Sequence, residues 1–250
     1  MSRRFLDNRS LGSLIAFASL ACLAALPASA SALTVYAATS LSRVMPKIDD
    51  GARYAFGGSN VLQLQIERGA PADLFLSASP QEAQALFRRG RCERPMTFTT
   101  NTLVLIARQG DPKRIRTVFG LRRGGLRLSI GNAAVPIGDY TRSMLRRLRL
   151  TGVLRANRVS QVSNVGQVLS QVAFGGADAG FVYRSDALPQ LRRVDLLAIP
   201  RSAQPAIRYE GCVVRRPGAD RAGARGLLAT LRGVRARALL HRAGFGPGPR

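Results

Sequence analysis

Residues 59–77 read Ser59-Asn60-Val61-Leu62-Gln63-Leu64-Gln65-Ile66-Glu67-Arg68-Gly69-Ala70-Pro71-Ala72-Asp73-Leu74-Phe75-Leu76-Ser77, and the pattern changes character halfway along. Leu62 and Ile66 stand four residues apart, on one face of a helix, behind a Ser-Asn pair suited to capping. Gly69 ends that helix, because glycine accepts the left-handed backbone common at a helix C-terminus. Ala70-Pro71-Ala72 then turns the chain into Leu74-Phe75-Leu76-Ser77, a short apolar run that reads as a buried strand. Tyr54-Ala55-Phe56, ending at Gly57-Gly58, reads as another strand ahead of the helix. Strand, helix, strand in so few residues is the repeating unit of an α/β fold.

The alternation continues in both directions. Leu33 to Ala37 reads as a strand, followed by a helix-like stretch opened by Thr39-Ser40. Gln81 to Arg89 is a short amphipathic helix, Asn101 to Arg108 one long strand, and Leu126 to Gly131 another strand after the Gly124-Gly125 turn. Pro136 opens a helix to about Leu148, and a further helix begins near Asn164 with Val165, Val168, Leu169 and Val172 on its buried side. Phe181-Val182-Tyr183 and Cys212-Val213-Val214 are strands, and Ala222 to Ala243 reads as one closing helix.

The chain has 250 residues, 46% of them hydrophobic, enough for one good core or two modest ones. Tryptophan is absent and aromatics make up 6%, which argues against an aromatic-lined sugar or cofactor site. The formal charge of +24 first suggests nucleic acid or an anionic membrane as partner. The excess is nearly all arginine, since Lys47 and Lys113 are the only lysines, and it is scattered in knots such as Arg122-Arg123 and Arg192-Arg193. Without a basic arm or a periodic stripe, this reads as a solvated surface that attracts small anions.

Residues 1–32 read as a cleaved signal peptide directing export to the periplasm. Arg3, Arg4 and Arg9 form a basic start, Leu11 to Leu26 is apolar but short for a membrane span, and Ala28-Ser29-Ala30 and Ala30-Ser31-Ala32 are small-x-small cleavage sites. Sec and twin-arginine export both remain open. Cys92 and Cys212 are then the two remaining cysteines, a pair that an oxidising compartment allows to bond. Together with the single histidine, His241, they do not make up a usual structural zinc site, so no metal is expected.

No nucleotide loop, nucleophile elbow or zinc-protease motif occurs, and one histidine is a poor basis for acid-base work. The chain is therefore not expected to be an enzyme. What recurs is a strand leading through a small or hydroxyl residue into a helix: Ala38-Thr39-Ser40, Gly57-Gly58-Ser59, Val135-Pro136-Ile137-Gly138 and Ser163-Asn164-Val165. A helix start exposes unpaired N–H groups at the positive end of the dipole, and so holds an anion without any charged side chain. Several such starts converging would offer only donors, which disfavours an oxyanion that still carries a proton.

Taken in order, these stretches resemble the molybdate-binding proteins of ABC transporters. The resemblance rests on Val35-Tyr36-Ala37-Ala38-Thr39-Ser40-Leu41, Phe56-Gly57-Gly58-Ser59, the block from Gln65 to Ala78, Asn101 to Ile106, Val135 to Tyr140, Asn164-Val165 and Ala177 to Ala187. It implies a type II periplasmic binding protein, α/β and two-lobed, with a ligand cleft between the lobes. Lobe one would comprise residues 33–100 plus 208–250, and lobe two residues 101–207. By matching position, Ser40 and Ser59 would supply hydroxyl and N–H donors, Ile137 and Val165 backbone N–H groups, and Tyr183 a phenolic O–H. The ligand would be molybdate or tungstate, held as an oxyanion and with no cofactor. The partners would be an inner-membrane ABC transporter permease and that small oxyanion, with no nucleic acid, and the protein would be a monomer. The alternatives are the same fold binding sulfate or another small solute, or a basic envelope or nucleic-acid-binding protein.

Two departures from the family pattern set further expectations. The segment between Leu41 and Arg53 is short by roughly two helical turns, so the first helix and second strand should both be abbreviated. Asn132 stands where the family usually has an aspartate. The hinge strands should lie near Asn101-Ile106 and Tyr209-Val214, a crossover where Cys92 and Cys212 could pair.

Overall fold

A computed structural model of the chain describes residues 32–248. The signal peptide expected over residues 1–32 falls, but for its last residue, outside the described residues. From Ala32 onward the chain forms one compact unit.

The elements run β1 (Thr34–Ala38), a 3-10 turn (Thr39–Leu41), α1 (Met45–Ile48), β2 (Arg53–Gly57), α2 (Ser59–Glu67), β3 (Leu74–Ser77), α3 (Pro80–Arg88) and β4 (Met96–Asn101). Then follow β5 (Leu103–Arg108), β6 (Arg127–Gly131), α4 (Pro136–Arg147), α5 (Val153–Ala156), β7 (Arg158–Val162), α6 (Val165–Ala173), β8 (Ala179–Tyr183), α7 (Arg184–Ala187) and β9 (Val194–Leu197). The chain closes with β10 (Ile207–Val213), α8 (Arg221–Thr230) and α9 (Val234–Arg242).

Two five-stranded sheets carry the molecule, in the orders β2-β1-β3-β10-β4 and β7-β6-β8-β5-β9. They repeat one plan. In the first, β1 pairs parallel with β2 and β3, and β10 lies antiparallel against β3. In the second, β6 pairs parallel with β7 and β8, and β5 lies antiparallel against β8. Each antiparallel strand, β10 or β5, enters from the other sheet, so two crossings join the halves. The stretch expected as one strand from Asn101 to Arg108 is therefore two, broken at Thr102: β4 belongs to the first sheet and β5 to the second.

The central strands are mostly apolar where both faces are covered, as parallel strands under helices tend to be. Leu74, Phe75 and Leu76 of β3 and Phe181 and Val182 of β8 are completely buried. The helices dock as their periodicity demands: Leu62 and Ile66 of α2 pack on Phe75, and Val165, Val168 and Val172 of α6 join the main core. Burying such side chains contributes about 1.5–3 kcal/mol each.

Several expectations need correction. The first helix is indeed short, four residues with Pro46 in its first turn, and β2 spans five residues, as β1 does. The closing helix is two, α8 and α9, because Gly233 takes an extended backbone (φ −71°, ψ 160°) between them. Ser59 is the first residue of α2 and not its cap; Gly58 is the cap. The edge strands β7 and β9 were not among the expected elements.

Candidate functional site

Four chain starts meet where the two sheets face each other. From the first half come the 3-10 turn after β1, with Thr39 and Ser40, and the start of α2 with Gly58 and Ser59. From the second come the start of α4 with Pro136 and Ile137, and the start of α6 with Asn164 and Val165. Tyr183, the last residue of β8, closes the wall. Together they line a cavity of about 20 Å³. One water needs about 10–15 Å³ on the same measure, so the cavity suits a compact group. All five residues singled out in the sequence, Ser40, Ser59, Ile137, Val165 and Tyr183, line it.

Each wall offers a donor for a local reason. Pro136 has no N–H, which makes Ile137 the first donor of α4. The Asn164 side chain accepts from Gln167 N at 3.1 Å, satisfying the third N–H of α6 and leaving that of Val165 toward the cavity. Ser59 Oγ accepts the Ala78 N–H at 3.0 Å, so its own proton is free to point elsewhere. Ser40 Oγ lies 2.8 Å from the Tyr209 hydroxyl. The Tyr183 hydroxyl is buried and has no hydrogen-bond partner among the described residues.

No lining residue is charged, in a chain of net charge +24. Burial pushes the phenols of Tyr183 and Tyr209 well above the ordinary tyrosine range, so both stay neutral donors. Two carboxylates stand behind the wall. Burial pushes Asp186, which directly follows the Tyr183 strand in α7, up to about 7, opposed by Arg43. Burial also raises Glu82 of α3, against the lowering effect of hydroxyl donations from Ser79 and Ser77. For Asp186 burial thus favours the neutral form near neutral pH, and for Glu82 it acts in the same direction. Among the described residues no cluster of His, Cys, Asp or Glu could hold a metal ion.

The halves touch at the cavity rim. A Cβ built on Gly58 would lie 2.5 Å from the Ser163 carbonyl oxygen, and one on Gly166 3.0 Å from Thr39 Cγ2. Both glycines thus mark where backbone from one half closes directly on the other. Tyr209 and Asn101 are neighbours that the sequence reading placed on hinge strands without assigning them to the site. Their only signal in the sequence is a tyrosine and an asparagine at the ends of the two expected hinge strands. Cys92 and Cys212 are bonded as a disulfide, with Cα atoms 5.9 Å apart.

The family model of bacterial extracellular solute-binding proteins matches residues 33–246. The molybdate-binding protein ModA of Mycobacterium tuberculosis H37Rv is 33% identical over 226 residues, covering 86% of this chain and 85% of the relative. The fold is shared with solved structures of binding proteins. The periplasmic molybdate-binding protein of Azotobacter vinelandii superposes with a TM-score of 0.75 at 24% identity, covering 87% of this chain and all (100%) of the other. The sulfate-binding protein SubI of Mycobacterium tuberculosis H37Rv does so at 0.73 and 17% identity, covering 86% of each chain. The chain belongs to the bacterial extracellular solute-binding proteins and, within them, is of the ModA type.

Proposed function

We propose that this protein captures molybdate or tungstate as a bare oxyanion outside the cytoplasm and delivers it to an ABC transporter permease in the inner membrane. The observation that carries the reading is a cavity rich in donors: a buried Tyr183 hydroxyl, unpartnered among the described residues, faces two serines and two helix starts, with no charged side chain in the wall and the Asn164 carbonyl oxygen already taken by the Gln167 N–H. A tetrahedral dianion accepts on every oxygen and supplies what this wall lacks. Preorganised dipoles in a water-poor cavity stabilise charge more than the same groups in water. The ModA relative's name points to the same ligand.

The ligand needs no cofactor and no metal-ligating side chain. In this reading the protein works as a monomer, exported to the periplasm by a signal peptide over residues 1–32. Among the described residues no helix is long and apolar enough to cross a membrane. The surface arginines serve as a field that concentrates anions and raises the capture rate; no nucleic-acid partner is proposed. Sulfate is the second reading, favoured by the SubI fold likeness and by an equally donor-hungry chemistry.

Calorimetry of the exported protein against molybdate, tungstate, sulfate and hydrogen phosphate decides between them. Tight binding of the first two, weaker binding of sulfate and weakest of hydrogen phosphate is expected. Heat from sulfate alone would move the assignment to the second reading, and no heat from any oxyanion would end both.

A further inference from the structure

Ser40 does not stand alone at the cavity wall. Behind it a buried polar chain runs through the hinge: Ser40 Oγ to Tyr209 hydroxyl at 2.8 Å, Tyr209 hydroxyl to Asn101 Nδ2 at 3.3 Å, and Asn101 Nδ2 to Ser185 Oγ at 2.9 Å. Ser40 and Tyr209 belong to the first sheet's half, Asn101 ends β4 at the crossing, and Ser185 lies in α7 of the second half. All four residues are buried. Tyr209 is fixed among Phe98, Tyr183 and Phe245, whose rings meet it edge-on with centroids 6.2, 5.9 and 5.4 Å away. It also sits at a register shift between β10 and β4, the kind of bulge that re-aims a side chain.

The direction of every proton in this chain follows from one end. Asn101 Oδ1 accepts the Thr102 N–H at 2.9 Å, so the amide is oriented with its NH₂ toward Tyr209 and Ser185. The Tyr209 oxygen therefore accepts from Asn101. Its own proton must go to Ser40 Oγ, since a buried hydroxyl proton without a partner costs about 1–3 kcal/mol. Ser40 Oγ, accepting from Tyr209, has its remaining proton to give to the cavity. The wall at Ser40 is thus a donor by construction.

We propose that Tyr209 is a specificity-determining positioning residue: acting through Ser40, it fixes the cavity as a donor-only site that rejects oxyanions still carrying a proton. This rests on the oxyanion reading of the cavity. Without the phenol, the Ser40 hydroxyl is no longer held with its proton toward the cavity: it can turn that proton away and accept from the O–H of hydrogen phosphate.

The test compares sulfate with hydrogen phosphate, both dianions at about pH 8, by calorimetry on the exported protein, with molybdate alongside. Tyr209→Phe should narrow the preference for sulfate over hydrogen phosphate by about tenfold, the worth of one hydrogen bond. Asn101→Asp, which keeps the acceptor for Thr102 N–H but takes the Tyr209 proton, reverses the chain and should narrow the ratio further; it also stands in if Tyr209→Phe does not fold. Loss of affinity for all anions in the same proportion would mean that Tyr209 is only packing, and would overturn the proposal. So would a wild-type protein that binds hydrogen phosphate as well as sulfate. A wild type that takes sulfate and not molybdate ends the molybdate reading alone, and the sulfate-to-phosphate ratio still judges Tyr209.

Discussion

The Tyr183 hydroxyl is fully enclosed and unpaired among the described residues, at the end of a strand whose other side chains are pure core. Two opposite effects meet in it. In the ligand-free protein an unpaired buried hydroxyl costs about 1–3 kcal/mol, while a hydrogen bond to a bound anion contributes about 1.5–3 kcal/mol. Tyr183→Phe should accordingly leave the ligand-free melting temperature unchanged or raised and weaken molybdate binding by roughly 10- to 100-fold. Thermal unfolding and calorimetry on the same preparation check it; a lower melting temperature with unchanged affinity would make Tyr183 a core residue only. The five wall residues were legible in the sequence because each is a local feature, a helix start or strand end. Tyr209 was not, since its partner Ser40 lies 169 residues away and Asn101 108 residues away. No local pattern encodes a hydrogen bond between strands that meet only after the chain has crossed twice.

At the scale of elements, the site is four chain starts held in register by the sheets behind them, and their approach is set by glycine. Gly58 has an ordinary extended backbone (φ −64°, ψ 133°), so alanine costs nothing there in conformation. Its Cβ would instead collide with the Ser163 carbonyl across the cleft, a backbone atom that cannot swing away. Gly58→Ala is expected to fold with an unchanged ligand-free melting temperature and to weaken oxyanion binding by at least about tenfold, as one lost charge-assisted contact would. Small-angle scattering should show less compaction on adding molybdate than in the wild type; equal compaction and affinity would show that the rim has slack. The elements missed in the sequence share a physical reason. β7 is exposed at most of its positions and β9 is half-buried, so neither carries the continuous apolar run of a central strand. The break at Thr102 was invisible because Thr99 to Thr102 are residues a strand accepts and carry no glycine or proline to mark a turn, and only the exchange between sheets requires the bend.

Over the whole molecule, the disulfide governs how the two halves are tied. Every strand of the second sheet lies between Cys92 and Cys212, so the bond closes the entire second half into a loop of 120 residues hung from the first sheet. Beside it, Glu93 is clamped by Arg225 and Arg221, whose hydrogen bonds pull its carboxyl down to about 2. Both arginines are well exposed, and pairs of that kind contribute about 0–1 kcal/mol. Closing a loop of this length contributes up to about 5 kcal/mol by chain entropy, so the covalent tie dominates the clamp. The sulfurs sit in a satellite core with Leu62, Ile66, Phe75 and Leu86, none of which lines the cavity. Replacing both cysteines by alanine should therefore lower the unfolding free energy in denaturant by about 2–5 kcal/mol while molybdate affinity stays within a few-fold of the wild type. Dithiothreitol added to the wild type should reproduce the loss once the buried bond is reached. Collapse of binding with stability intact would instead mean that the tie sets the cleft geometry, and that the second half depends on it for alignment as well as for chain entropy.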